Sequence, residues 1–147
     1  MARRRRNYVT RGLAIALLLI GCAGPKRQLY PGPPLPRDQV VILKQSSKSK
    51  VFAIDKMKVD GFKWELNPGT HEVEVSVLGE IGGGCCYDRA WSRPCVFHFD
   101  FAPGVTYRLE ARGEAQFDSF VGVAGVYAVL INLDTGEPEP DATCGAD

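Results

Sequence analysis

The chain has 147 residues, with 18 basic and 17 acidic side chains, 45% hydrophobic residues and five cysteines. That length supports one domain with a real core and is short for two. The balance of charge, with no basic patch beyond the N-terminus, argues against a nucleic-acid binder. At the N-terminus, Arg3, Arg4, Arg5, Arg6 and Arg11 stand without an acidic residue among them, and Leu13 to Ile20 follow as eight apolar residues. A positive segment, a short apolar run and a small residue beyond it are the parts of a secretory signal. The run falls well short of the ~20 residues that a bilayer-spanning helix needs.

Leu19-Ile20-Gly21-Cys22 resembles the bacterial lipobox. The resemblance implies cleavage after Gly21, diacylation of the Cys22 thiol, and an envelope protein held by its lipid. One acyl chain binds a membrane marginally, whereas two or more make a lasting anchor. An ordinary signal with an incidental cysteine is the alternative. Ala23, where an acidic residue would favour inner-membrane retention, implies the outer membrane in a host that has two. Residues 1–21 then form the signal, and its removal takes five of the 18 basic residues and none of the 17 acidic ones, leaving 13 against 17, or −4. A mature chain of that charge is not expected to make a polybasic contact with lipid headgroups.

Residues 22–38 read as the lipidated cysteine and a tether. Pro25, Pro31, Pro33, Pro34 and Pro36 disfavour helix and sheet, and such a segment in extended form spans up to about 50 Å. A proline-rich ligand for a partner is the other reading of this stretch.

Residues 39–134 read as strands. Gln39–Leu43 and Val51–Asp55 are short apolar runs separated by the polar Ser46–Lys50, and Phe62–Leu66 leads into the turn Asn67-Pro68-Gly69. His71, Val73, Val75 and Val77 alternate with Glu72, Glu74 and Ser76, the mark of a sheet with one buried face. Residues 79–94 break the pattern and read as an inserted loop. Phe97, Phe99 and Phe101 then alternate with His98 and Asp100, and Ala102-Pro103-Gly104 forms a second turn. Tyr107, Leu109 and Ala111 alternate with Arg108, Glu110 and Arg112. Residues 114–124 are ambiguous and have room for a helical turn. Gly125–Leu133 is apolar on both parities, as a central strand is, and residues 135–147 form an acidic tail. About seven short strands with regular turns predict an all-β fold, a single antiparallel β-sandwich. Two hairpins built on Pro-Gly turns account for the likeness between residues 66–73 and 101–109.

Val51-Phe52-Ala53-Ile54-Asp55 and Glu65-Leu66-Asn67-Pro68-Gly69-Thr70-His71-Glu72-Val73-Glu74-Val75 are similar to the PEGA-type β-sandwich repeat. The resemblance covers about 25 residues. It implies a surface-associated β-module and carries no catalytic residue.

With Cys22 lipidated, Cys85, Cys86, Cys95 and Cys144 remain, an even number that reads as two disulfides in an exported chain. A bond between the adjacent Cys85 and Cys86 would be strained, so each is expected to pair with Cys95 or Cys144. Zinc is the rival reading, although the paired C-x-x-C spacing is missing. His71 falls on a buried parity and is expected to pack. His98 and Asp100 are neighbours on a wet face, too few ligands for a stable metal site. Gly82-Gly83-Gly84 lacks the Lys-Ser/Thr of a phosphate loop, and no nucleophile–base motif is present. Tyr87, Arg89, Trp91 and Arg93 make the 79–94 region the candidate binding surface, since aromatic and Arg side chains dominate contact hot spots. Folding of Trp91 over the sandwich as a lid is the competing expectation.

The function expected from the sequence is therefore a lipid-anchored, non-catalytic envelope module without cofactor, metal or nucleic-acid partner. It would serve as a scaffold or protein-interaction domain, with a small ligand, carbohydrate or peptidoglycan as the alternative partner.

Overall fold

A computed structural model describes residues 27–83, 86–118 and 122–145. Cys22, the segment expected to be a signal and Cys85 lie outside the described residues. Eleven strands follow one another: β1 (Arg27–Gln28), β2 (Val41–Gln45), β3 (Ser49–Ile54), β4 (Met57–Lys58), β5 (Lys63–Leu66), β6 (Gly69–Gly83), β7 (Cys86–Trp91), β8 (Cys95–Phe101), β9 (Thr106–Asp118), β10 (Gly122–Asn132) and β11 (Pro138–Cys144). They form a six-stranded sheet in the order β1-β5-β2-β9-β10-β11 and a five-stranded sheet in the order β4-β3-β6-β7, with β8 also paired to β6.

The all-β expectation stands, but the sandwich is larger than seven strands, and its six-stranded sheet is mixed. β1 pairs with β5, and β2 with β9, in parallel. Both parallel contacts arise because the chain changes sheets between the partners. Neither Pro-Gly turn closes a hairpin. Asn67-Pro68-Gly69 carries the chain from β5 in one sheet to β6 in the other, and Ala102-Pro103-Gly104 carries it back from β8 to β9. The turn chemistry was legible, whereas the destination of the next strand depends on which apolar faces meet.

The core is the set of inward parities. Trp64, Leu66, Leu43, Val73, Val75, Val77, Phe97, Phe101, Tyr107, Leu109, Ala128 and Leu130 are all buried between the sheets. Phe101 and Tyr107 meet edge-on at 5.2 Å between ring centroids, and Phe99 packs edge-on against both, an arrangement the ring quadrupoles favour. Where the chain crosses between sheets, Ser49 Oγ donates to the Leu109 carbonyl at 3.0 Å, so this buried hydroxyl is satisfied.

Residues 79–94 are not an inserted loop. β6 runs on to Gly83, and β7 returns antiparallel to it from Cys86 to Trp91. β8 continues the same return along the earlier half of β6. Pairing passes from Leu78↔Trp91 to Val75↔Cys95, so the Ser92–Pro94 stretch holds one extra residue, a bulge in a single long hairpin. A proline is tolerated there because a bulge frees its position from donating to the ladder. Residues 114–118 and 122–124 are likewise strand, in the β9–β10 hairpin rather than a helical turn. That hairpin bends at Gly113 and Gly125, where a Cβ on Gly113 would lie 2.1 Å from the Gly125 carbonyl oxygen. The bend therefore demands glycine at both positions.

The tether expected at residues 22–38 and the tail expected at 135–147 both change status. From Arg27 the chain belongs to the sandwich: β1 extends the six-stranded sheet, and Tyr30 folds over the outer face onto Val40 and Ile42. The Tyr30 hydroxyl accepts the Leu35 N–H at 3.1 Å, and Gln28 Nε2 donates to the carbonyls of Tyr30 and Gly32. The segment thus forms a strap packed through Tyr30 and Val40, with Pro31, Pro33, Pro34 and Pro36 exposed. At the other end, β11 is an edge strand tied to β8 by a Cys95–Cys144 disulfide, with 5.8 Å between the Cα atoms. This corrects the expected pairing of Cys95 and Cys144 with the vicinal cysteines. β8 and β11 are neighbouring edges of opposed sheets, whereas β7 begins at Cys86 near the far tip of the long hairpin.

Candidate functional site

One end of the sandwich gathers the Ser46–Lys48 turn, the Asp60–Phe62 loop and the start of the two long hairpins. Between them lies an open groove of about 310 Å³ lined by Gln45, Ser46, Val59, Asp60, Phe62 and Trp91 among others. Phe62 is 71% exposed and Trp91 46% exposed. Phe62 shares the parity of the buried Trp64 and Leu66, yet β5 begins one residue later, so its ring escapes the core. The loop that carries it is held from below: the Trp64 indole N–H donates to the Asp60 carbonyl at 3.2 Å, and the Asp60 carboxylate lies 3.8 Å from Arg27. A second depression of about 360 Å³ runs on from the groove toward Pro94 and shares Lys50, Val51, Val59 and Asp60 with it.

Of the expected surface residues whose side chains are described, Trp91 alone lines this groove. Its exposure argues against the lid. Arg89 occupies the same strand but turns to Glu80, 3.3 Å away, and Arg93 is exposed at the bulge. Lys48 also holds Glu80, at 3.0 Å, and its hydrogen bond and charge keep that carboxyl below the usual carboxylate range. Tyr87 pairs with Gly82 in the backbone register, and Cys86 with Gly83; their side chains lie outside the described residues. Phe62 was the residue missed. Its only sequence signal was the Asp60-Gly61 turn in front of it.

The two histidines have different surroundings. His71 Nδ1 is 2.6 Å from Asp55 Oδ2, and Nε2 is 2.8 Å from the Asn67 carbonyl oxygen. An aspartate–imidazole pair suggests proton-transfer chemistry, but here the second ring nitrogen faces a backbone acceptor and is unavailable to a nucleophile. The arrangement is a clamp. The other Asp55 oxygen accepts the Glu72 N–H at 3.0 Å, and the clamp holds a two-residue turn in which Asp55 and Lys56 both have positive φ, 50° and 63°. Such a turn matches the twist of its strands but normally recruits glycine or asparagine. On the outer face, His98 is 3.2 Å from Glu72 and mostly exposed. Among the described residues no group of three His, Cys, Asp or Glu side chains is placed to hold a metal, and no helix is long and apolar enough to cross a membrane.

The groove lining offers hydroxyls, an amide, one carboxylate and one amine between two aromatic rings. Asp60 faces Arg27, and Lys50 Nζ sits 5.0 Å from the centre of the Phe52 ring. Neither is paired with a nucleophile or a second acid among the described residues. The arrangement suits contact and stacking. In comparisons with known proteins, no family, no curated protein and no solved structure matches this chain.

Proposed function

We propose that the protein is a lipid-anchored envelope protein, held through Cys22, whose β-sandwich is a non-catalytic module that binds a partner protein at the Trp91–Phe62 groove. The observation that carries this reading is the exposure of two large aromatic side chains on either side of a groove in an otherwise braced sandwich. Aromatic anchors beside a concavity supply most of the energy of typical contacts, and a rigid frame lowers the ordering cost of binding. The lipobox-like Leu19-Ile20-Gly21-Cys22 supports the anchor.

Two measurements test the two halves. Mass spectrometry of the protein isolated from host membranes is expected to find an N-terminal Cys22 bearing acyl chains; an unmodified Cys22 overturns the anchor. Photo-crosslinking from position 91 in living cells is expected to capture one defined protein that is lost on Phe62→Ala; diffuse labelling without a product overturns the docking role. A second reading, a saccharide such as peptidoglycan, draws on the Trp91 indole beside Ser46, Ser47 and Asp60, a flat apolar platform fringed with hydrogen-bonding groups. Retention on glycan that Trp91→Ala abolishes would select it.

A further inference from the structure

The outer face of the six-stranded sheet is divided in two. Its upper part is covered by the strap that carries Tyr30 and Val40. Its lower part carries a row of cations in direct register: Lys63 on β5 stands opposite Lys44 on β2, which stands opposite Arg108 on β9. Arg112 follows Arg108 on the same face of β9, and the one carboxylate between them, Glu110, contacts both arginines. Neither Lys44 nor Lys63 has an ion-pair partner among the described residues. Like charges placed directly opposite one another are unfavourable in a sheet, and Glu110 answers only the arginines, so the Lys44–Lys63 pair stands without a counter-charge in a mature chain whose formal charge is −4.

The position of the row relative to the anchor gives it a partner. β1 is the strand that neighbours β5, and it runs parallel to β5, with Arg27 beside Trp64 and Gln28 beside Glu65. The chain therefore comes into the sheet from the Lys63 end of β5. Cys22 is five residues before Arg27, and five residues reach at most about 18 Å. Three strand spacings, from β1 to β9, amount to only about 14 Å. The carboxylates of the far edge, Glu139 and Asp141, lie on β11, at the opposite side of the sheet from β1. The two unpaired lysines of the face, Lys44 and Lys63, thus lie on the half of the sheet next to the attachment point, where Asp60 is held by Arg27 and Glu65 is buried, and Glu139 and Asp141 lie at the far edge.

We propose that the β5–β2–β9 part of this outer face rests on the anionic phospholipid headgroups of the membrane that holds Cys22. The proposal rests on the reading of Cys22 as lipidated, and it revises the expectation from net charge alone that no basic contact with lipid is made. Lysines with flexible stems and arginines with bidentate donors are suited to phosphodiester headgroups. Each such cation near a negative membrane surface gains about 1 kcal/mol, and the attraction falls off within a Debye length.

The test uses the full-length protein, purified from host membranes and reconstituted into vesicles of phosphatidylcholine alone or with phosphatidylglycerol. Lysine acetylation is then read residue by residue by mass spectrometry. Lys56 and Lys58, in the β3–β4 turn and β4, are exposed and serve as internal references. With phosphatidylglycerol, labelling of Lys44 and Lys63 is expected to fall roughly fivefold relative to those references, and to recover at high salt. Equal labelling in both vesicle types, for protein that floats with the vesicles and carries lipidated Cys22, overturns the docking and leaves the anchor intact. Protein that does not float and shows an unmodified Cys22 overturns both. Protection that persists in neutral vesicles together with a co-purifying protein assigns the face to that protein, and also overturns the membrane contact.

Discussion

The outer faces of the two sheets have opposite treatment. On the six-stranded sheet, the segment before β2 packs Tyr30 and Val40 over Ile42, and on β10 both parities are buried, Val129 and Ile131 as well as Ala128 and Leu130. The five-stranded sheet is bare, with Val96 48% exposed and Trp91 46% exposed on its outer side. A strand buried on both faces reads as a continuous apolar run, and a strand with one wet face alternates. Val40-Val41-Ile42-Leu43 belongs to the first kind and Val73 to Val77 to the second. The contrast shows that a covered sheet needs its cover from elsewhere in the chain, here from a proline-rich segment that looks like a spacer.

The largest test of this contrast is the link between the two sheets. Replacing Cys95 and Cys144 together by serine should cost about 4 kcal/mol in the loop-closure account of a crosslink spanning 49 residues. Denaturant unfolding without reductant measures it, and a loss near zero would mean that β11 holds its place unaided. Removing the strap comes next. Tyr30→Ala should cost about 3 kcal/mol, as expected for a buried aromatic side chain, and should speed amide exchange in β1 and β2. An unchanged midpoint would show that the cover is ornamental and the two outer faces equivalent.

Smaller effects sharpen the picture. Lys56 has a left-handed backbone that costs an ordinary residue about 1–2 kcal/mol; Lys56→Gly should therefore stabilise by about 0.5–1 kcal/mol after the unfolded-state entropy of glycine is deducted. Thermal melts that show a loss would mean the lysine side chain contributes something the turn needs. Burial raises the Tyr107 phenol above its ordinary value of 10.0, although the Ala102 N–H donated to its oxygen acts in the opposite sense. The folded state thus prefers neutral phenol, and this contribution is complete below pH 10. It is lost as pH rises from the unfolded value through the raised folded one. Tyr107→Phe should flatten the alkaline loss of stability, and an equally steep loss in the variant would assign it to other groups. Smallest of all, Trp91→Ala on the bare face should change stability by less than about 0.5 kcal/mol. A larger loss would make Trp91 part of the core and remove its role in the groove.

Much of this was legible in residues with a strict local rule. The β6 alternation, the Phe97–Phe101 alternation and both Pro-Gly turns follow from side-chain period and turn chemistry, which act over a few positions. Within the candidate site, Trp91 was legible as an aromatic in a polar stretch, whereas Phe62 was not, because its parity matched the core and only the late start of β5 exposes it. The Asp55–His71 clamp joins residues 16 apart, and nothing in the intervening chain announces it.

Taken alone, the sequence determined the all-β class, the inward residues of β6, β8 and β9, the excess of acid over base beyond residue 21 and the lipobox-like motif at Cys22, since each is a property of neighbours along the chain. Tertiary structure decided the rest. It sent the two Pro-Gly corners between sheets, paired Cys95 with Cys144, turned the proline segment into a strap and aligned Lys63, Lys44 and Arg108 in one row. Those outcomes depend on which strands become neighbours, and strand order is set by packing the apolar faces of distant segments against one another.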